Sequence, residues 1–392
     1  MINSIGIEEI RAAAAAALEE VAPIIAEVGA NPELGFEEKT ACSLQVEYLK
    51  KHNYTVQENA ADLATAFRAD IEPVSGNEKN VPTVGLLTEY DALPAPSGHA
   101  CGHQLIMGAG LLAQSAVCAL MKKYSIPGKV SVLGCPAEEE HGGKVYMIRK
   151  GIFKDLDIAL LSHPFFRTGV TRNILAVMRY DVEFFGRSAH ASTAPEQGIN
   201  ALDAMTVFMN GINAWRQQLP STSRVHGIIT SGGTAANVIP DYTAAFFYVR
   251  SDNNDYQSVM VKRFEDIAHG AALITGCDYK VTPKTVPYSA GKPNPALAKA
   301  AEDIQAAMGL NPELVIKEPL STDFANVCDE VPGVNIYFNV TKGEPIALHS
   351  QAFREAAAKP EALAATVDAA AVMAKIALDY LTDAEFRNQV KA

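Results

Sequence analysis

The chain has 392 residues, 48% of them hydrophobic and 20% charged, with a formal net charge of −12. That length suggests two domains and is enough to bury a substantial core without disulfide or metal staples. The acidic balance argues against nucleic acid, which needs a basic footprint. Six cysteines without a CxxC or regular spacing argue against a disulfide framework or a zinc-finger fold.

The first stretch, "MINSIGIEEIRAAAAAALEEVAPIIAEV", does not read as a signal peptide. Its alanine run is bracketed by charges and predicts a helix over residues 5–28. A second helix is predicted over 37–52, after the turn-rich "GANPELGFEE". No apolar run reaches the length that spans a bilayer. The scattered cysteines fit a reducing compartment, so a cytoplasmic protein is expected.

Four short apolar runs follow: "TVGLLTEYD" (83–91), "KVSVLGCPAEEE" (129–140), "DIALLSHP" (157–164) and "GVNIYFNV" (333–340). Each is rich in Val, Ile and Leu and bounded by turn residues, the pattern of a strand buried on both faces. Between the first two, residues 104–124 predict a core helix. Strands alternating with helices predict an α/β sheet. From about residue 174 the texture changes. A half-exposed strand at "AVMRYDVEFFGRSAH" is followed by a helix over 200–219, the strands "VHGIIT" and "TAAFFYVRS", a helix over 257–276, and a last strand at "DYKVTPKTVPY". That β-α-β-β-α-β order is ferredoxin-like. The expected architecture is an α/β domain of residues 1–174 and 292–392, interrupted by an insert of residues 175–291.

The residues able to do chemistry gather at the ends of the predicted strands. His99, Cys101 and His103 follow the first, Glu138, Glu139, Glu140 and His141 the second. His163 ends the third, and His349 follows the fourth. In open α/β sheets ligands bind beyond the carboxyl ends of the strands. Imidazole, thiolate and carboxylate suit zinc, manganese or cobalt. The candidates Cys101, His103, one glutamate, His163 and His349 are enough for two ions with a bridging ligand. Two adjacent glutamates allow one to bind metal while the other takes a proton. Other readings stand beside this one. Cys101 is a candidate thiol nucleophile with His99 or His103 as base, and "EEEHGGK" is equally a solvated helix start. Cys42, Cys118, Cys135 and Cys277 read as core residues.

The motifs "EYDALP", "GHACGH", "PAEEE", "SHP", "GRSAHAS", "GGTAANVIPDY" and "LHS" occur in order over nearly the whole chain. Together they resemble the dinuclear metallopeptidases of family M20: aminoacylases, glutamate carboxypeptidases and auxin-conjugate amidohydrolases. The resemblance is closest to the subfamily with Cys-Gly-His in the bridging motif. "EYDALP" resembles its branch of aminobenzoyl-glutamate hydrolases and β-alanyl-dipeptidases.

This resemblance implies a catalytic domain with a mixed sheet flanked by helices, interrupted by a ferredoxin-like lid and dimerisation domain. It implies Cys101 as the ligand bridging two divalent ions, with His103 and Glu139 on one and His163 and His349 on the other. Glu138 would be the general base and Asp91 the acid orienting a ligand histidine. His99 would lie near the centre in a structural role. His190 resembles a histidine that reaches a neighbouring subunit's site and polarises the scissile carbonyl. Asn237 and Arg250 match residues that hold the substrate, arginine suiting a carboxylate. The implied activity is hydrolysis of an amide in an N-acyl amino acid or dipeptide, by a homodimer whose inserted domain closes over the site. Amide formation at the same site, or a non-catalytic metal-binding or assembly relative, are the alternatives. Gln104, the absence of tryptophan in "APEQG", and Cys328 depart from the pattern, and all three bear on the substrate pocket.

Overall fold

The computed structural model describes residues 5–71, 81–313 and 320–392. Residues 1–4, 72–80 and 314–319 of the expected catalytic domain lie outside the described residues. The chain divides into two compact units, Met1–Arg172 with Lys292–Ala392, and Asn173–Gly291.

The first unit opens with helices α1 (Ile7–Ala16), α2 (Leu18–Ala30) and α3 (Lys39–Lys51). The single helix expected over 5–28 is thus two, with Ala17 in a tightened turn between them. Strands β1 (Thr55–Glu58), β2 (Phe67–Ile71) and β3 (Thr83–Glu89) lead to α4 (His103–Tyr124). Then come β4 (Lys129–Cys135), α5 (Gly143–Arg149), β5 (Ile158–Phe165) and β6 (Gly169–Val170). In the second unit lie β7 (Ala176–Phe185), α6 (Ala201–Arg216), β8 (Arg224–Ser231), β9 (Tyr242–Ser251), α7 (Asn254–Thr275) and β10 (Asp278–Pro283). The chain then returns to the first unit with α8 (Pro295–Ala307), α9 (Phe324–Glu330), β11 (Gly333–Asn339), α10 (Gln351–Ala357), α11 (Pro360–Thr382) and α12 (Ala384–Lys391).

The sheet of the first unit has the order β1-β2-β4-β3-β5-β11-β6. Its centre, β4-β3-β5-β11, is parallel, and the flanking pairs are antiparallel. Successive residues of the central strands enter opposite cores. Val84, Leu86, Val132 and Leu160 join the cluster built by α4 and α11, while Leu87, Leu133 and Leu161 pack with Met147 and Phe324 on the other face. This two-sided burial explains the continuous apolar runs. It also aligns the carboxyl ends of four strands on one edge.

Helix α4 is long and apolar enough to cross a membrane by length and composition alone, contrary to the expectation that no such run exists. Most of it is buried inside the protein, where each buried leucine contributes roughly 2 kcal/mol. Its close approach to β3 depends on Gly110, where a Cβ would lie 2.6 Å from Thr88 and 3.2 Å from the Leu87 carbonyl oxygen.

The second unit has one antiparallel sheet of order β10-β7-β9-β8. Tyr180, Val182, Phe184 and Phe247 face Phe208 of α6 and Phe264 of α7. Asn200 and Asn253 cap the two helices by accepting from Leu202 and Tyr256 N–H. This is the ferredoxin-like arrangement expected.

Gly110→Val is expected to overpack the α4–β3 contact at a cost of about 1–3 kcal/mol. Thermal denaturation should show Tm falling by about 2–4 °C per kcal/mol; an unchanged Tm would remove this account of the helix's approach.

Candidate metal centre

The five residues expected as ligands arrive on four segments. Cys101 and His103 flank Gly102, whose φ of 79° is a left-handed conformation suited to glycine. A Cβ there would lie 2.7 Å from Pro164, so the Cys-Gly-His turn presses against the end of β5. Cys101 Sγ accordingly lies 3.5 Å from Nε2 of His163 on that strand. His163 Nδ1 is 2.8 Å from the Pro164 carbonyl oxygen. That contact places the proton on Nδ1 and leaves Nε2 as a lone pair facing the thiol. His349 has a φ of 63°, and its N–H donates to the Ala100 carbonyl at 3.0 Å. This ties the loop after β11 to the turn carrying Cys101.

Glu138 and Glu139 sit in the loop between β4 and α5. Ala137, with φ 59°, bends the chain there. The buried Glu38 accepts from Ala137 N–H at 2.8 Å and from the Thr65 hydroxyl at 2.8 Å. Asp91 accepts from Glu139 N–H through Oδ2 at 2.9 Å, and its Oδ1 lies 2.9 Å from His103 Nδ1. One carboxylate therefore fixes both the glutamate loop and the ring of His103. His103 Nε2 is then turned inward, 3.6 Å from Glu139 Oε1 and 3.9 Å from Glu138 Oε2. His349 Nε2 is 3.5 Å from Glu139 Oε2.

Donor atoms of Cys101, His103 and His163 lie within 4.8 Å of one another, as do those of Cys101, Glu139 and His349. The two groups share Cys101. Glu89, His103 and Glu138 make a third group by the same measure.

The electrostatics fit cations at this place. Burial, and then the charge of Glu139, push the Cys101 thiol well above its ordinary range. Burial, reinforced by Glu89 and Glu139, holds the Glu138 carboxyl well above its own, and burial raises Glu139. Burial opposes charge on His103, but the Asp91 carboxylate raises it well above the usual imidazole range. Burial, then His103, lower His163 to about 4, which keeps it neutral. A divalent ion would stabilise the thiolate and both carboxylates at once. The sharpest sign is His103 Nε2, which is fully buried and has no hydrogen-bond partner. Sulfur, nitrogen and oxygen donors around that buried nitrogen fit zinc, manganese or cobalt.

Other residues fall elsewhere. His99 is buried, and burial, then His103, lower it to about 4. His141 stacks on Phe36 at 5.4 Å. In the second unit, the exposed His190 accepts at Nδ1 from Ser192 and Thr193 N–H at 3.3 and 3.2 Å. That leaves Nε2–H as an outward donor. Asn237 lies on the adjoining loop, its carbonyl accepting from Ala191 N–H at 3.0 Å. Arg250 is at the far end of β9, opposite Val177, with its guanidinium 5.1 Å from the Tyr248 ring centroid. Burial, then Arg179, lower its pKa. The span from Tyr242 to Arg250 is about 27 Å at ~3.4 Å per residue, so His190 and Arg250 occupy opposite ends of the sheet.

Two buried carboxylates at the centre, Glu38 and Glu89, have no role assigned from the sequence. Glu38 lies in "LGFEE", where it resembles any exposed acid, and only its distant partner Ala137 reveals it. Glu89 precedes Asp91 in "EYD" with no periodicity to mark it. Lys144, in the run that also reads as a solvated helix start, is instead fully buried.

Several known proteins are similar to this chain. Residues 176–273 match the peptidase dimerisation domain model. The human Xaa-Arg dipeptidase is 33% identical over 390 residues, covering 96% of this chain and 88% of that protein. One component of the p-aminobenzoyl-glutamate hydrolase of Escherichia coli (strain K12) is 34% identical over 267 residues, 62% of this chain and 53% of that one. Among solved structures, an aminobenzoyl-glutamate utilization protein from Klebsiella pneumoniae superposes with a TM-score of 0.72 at 18% identity, covering 94% of this chain and 98% of that one. A dinuclear metal-binding M20 peptidase from Bacillus subtilis gives 0.67 at 20% identity, covering 93% and 99%.

Glu38 carries a pH prediction. Burial, then Asp91, raise its carboxyl to about 7 from an ordinary 4.5. The folded state therefore holds this proton where the unfolded chain has lost it. Stability from this group falls as pH rises from about 4.5 through 7. Glu38→Gln removes the charge; its amide oxygen accepts from Ala137 N–H while its NH2 donates to the Thr65 hydroxyl oxygen, reversing that bond. In metal-free protein it should gain up to roughly 3 kcal/mol above pH 7 and nothing below pH 4. Urea unfolding at both pH values would show it; equal curves for the two proteins would not fit.

Proposed function

The chain belongs to the M20 family of metallopeptidases, and from that premise we propose that it hydrolyses the amide bond of a dipeptide or N-acyl amino acid with a free carboxylate. It is an enzyme, a metal-dependent amidohydrolase. The observation that carries the reading is the meeting of Cys101 with His103 and His163 on one side and with Glu139 and His349 on the other.

In this reading Cys101, His103, Glu139, His163 and His349 would hold two divalent ions; the resemblance pairs His103 with Glu139 and His163 with His349, whereas the donor atoms group with Cys101 as His103 and His163 on one side and Glu139 and His349 on the other. Zinc or manganese is the proposed occupant, with cobalt compatible with the same donors. When bound, such ions polarise a carbonyl and ease deprotonation of water at neutral pH. Glu138 takes the proton of the attacking water and delivers it to the leaving amine, a role its raised proton affinity suits. Asp91 keeps His103 Nε2 aimed inward. His190 offers its Nε2–H to the scissile carbonyl oxygen, and Asn237 and Arg250 hold the substrate, Arg250 by its carboxylate.

The protein is proposed to be a cytoplasmic homodimer acting on small molecules rather than on nucleic acid or a membrane. A reducing compartment suits the free thiol required at Cys101. The match to a dimerisation domain and the edge position of β8, with Ile228 and Ile229 exposed, support pairing through the second unit. His190 and Arg250 at opposite ends of one sheet support service to two sites, His190 acting in the partner subunit.

Elemental analysis of purified protein is expected to give near two ions per chain. Dipeptides ending in arginine head the substrate panel, followed by p-aminobenzoyl-glutamate and N-acyl amino acids, because a relative covering 96% of this chain and 88% of its own length is named for the first class. Glu138→Gln should lower kcat by roughly 10²–10⁴-fold with metal retained, while Glu139→Gln should lose metal as well. Equal metal content in the two variants would end that division of labour, and wild-type protein that takes up no metal would end the reading itself.

For the dimer, His190→Ala and Arg250→Ala subunits should each be impaired alone yet regain turnover when mixed, since a mixed dimer rebuilds one complete site. Parents that stay inactive on mixing, with subunit exchange verified, would refute action in the partner.

A further inference from the structure

A buried ion triad lies against the metal centre. Lys144, at the start of α5, is fully buried. Its Nζ lies 2.5 Å from Asp323 Oδ1, and its own backbone N–H donates to Asp323 Oδ2 at 2.9 Å. One carboxylate thus grips the residue at both ends. Nζ also lies 2.7 Å from Oε1 of Glu89, the last residue of β3, as an ion pair without hydrogen-bond alignment. Glu89 is 1% exposed and Asp323 is wholly buried.

An ammonium at such depth is costly, and a well-packed apolar residue commonly serves stability as well or better. The triad's use lies in where its other atoms point. Glu89 Oε2 is 3.9 Å from His103 Nε2, the same distance as Glu138 Oε2. The carboxylate held by Lys144 on one oxygen therefore faces the metal centre with the other. Lys144 also closes the loop that carries Glu138 and Glu139. That loop is pinned to Glu38 at Ala137, to Asp91 at Glu139 and to Asp323 at Lys144, each time by a buried carboxylate accepting a backbone N–H.

We propose that Glu89, Lys144 and Asp323 form a positioning triad that clamps the Glu138–Glu139 loop to the end of β3 and presents the second oxygen of Glu89 to His103 and Glu138. The inference rests on the metallohydrolase reading above. Lys144 supplies the fixed positive charge that lets Glu89 sit beside Glu138 and Glu139 before any ion arrives. Without it the carboxylates repel, and the loop that sets Glu138 against His103 loses an anchor.

The test uses the full-length chain with two variants. Glu89→Gln keeps the size of the side chain and removes its charge; Lys144→Met removes the ammonium. Metal-free wild type and variants are titrated calorimetrically with Mn²⁺ and Zn²⁺, melted, and assayed after loading. For Glu89→Gln the expected result is a loss of about 10–100-fold in metal affinity or kcat, with KM and Tm near wild type. Lys144→Met, where it folds, should show the same loss. If it does not fold, Glu89→Gln alone decides. Glu89→Gln within about twofold of wild type in both metal affinity and kcat would overturn the triad, as would a lowered Tm as its only change. Wild type that binds neither metal would overturn the triad together with the metallohydrolase reading, which separates the two failures.

Discussion

One buried carboxylate, Asp91, holds the centre together. Its two oxygens take different tasks, one against His103 Nδ1 and the other accepting from Glu139 N–H. Strand β3, the first residue of α4 and the loop after β4 are joined through that single group. Burial alone would make Asp91 hard to ionise, but His103 and the backbone N–H of Glu139 more than offset this and lower its pKa. The orientation of His103 follows, with Nδ1 turned to Asp91 and Nε2 turned inward. That inward nitrogen is the feature around which the sulfur and the carboxylates are arranged.

The same economy recurs around the glutamate loop. A loop buried this deeply has to find partners for its N–H groups, and here buried acids supply them. Each acid that orders the loop also adds negative charge to the region. Lys144 answers part of that charge; the remainder makes the centre receptive to cations. Order and affinity thus come from one set of side chains. Removing the lone ammonium from such a set is severe, roughly 3–5 kcal/mol, because the buried carboxylates are left uncompensated.

The legible part of the protein was the part encoded over short range. Strands β3, β4, β5 and β11 announce themselves because burial on both faces demands unbroken Val, Ile and Leu. The short strands β1 and β2 escaped notice, since β1 is largely exposed and four residues carry little periodicity. Cys101 and His103 could be paired on sight because one glycine separates them. Their companions could be gathered only by assuming that strand ends share an edge, which the parallel register supplies. Lys144 shows where such reading stops. Two glycines and a lysine after three glutamates describe a wet helix start, and the partners that bury the lysine, Glu89 and Asp323, stand far from it in the chain on either side. No local pattern encodes contacts of that range.

The position of β11 shapes how the molecule must be made. It sits between β5 and β6 in the sheet, yet it follows them in the chain only after the whole second unit. During synthesis β5 emerges with its neighbouring slot empty, and β6 has no strand to pair with. The second unit can complete its own sheet in the meantime, since its four strands are contiguous in sequence. The metal-binding unit closes only when its last third arrives. Long-range parallel pairing of this kind is slow and leaves an apolar edge open while it waits. The inserted unit can therefore finish before the centre that does the chemistry, which waits for β11 and His349 to emerge.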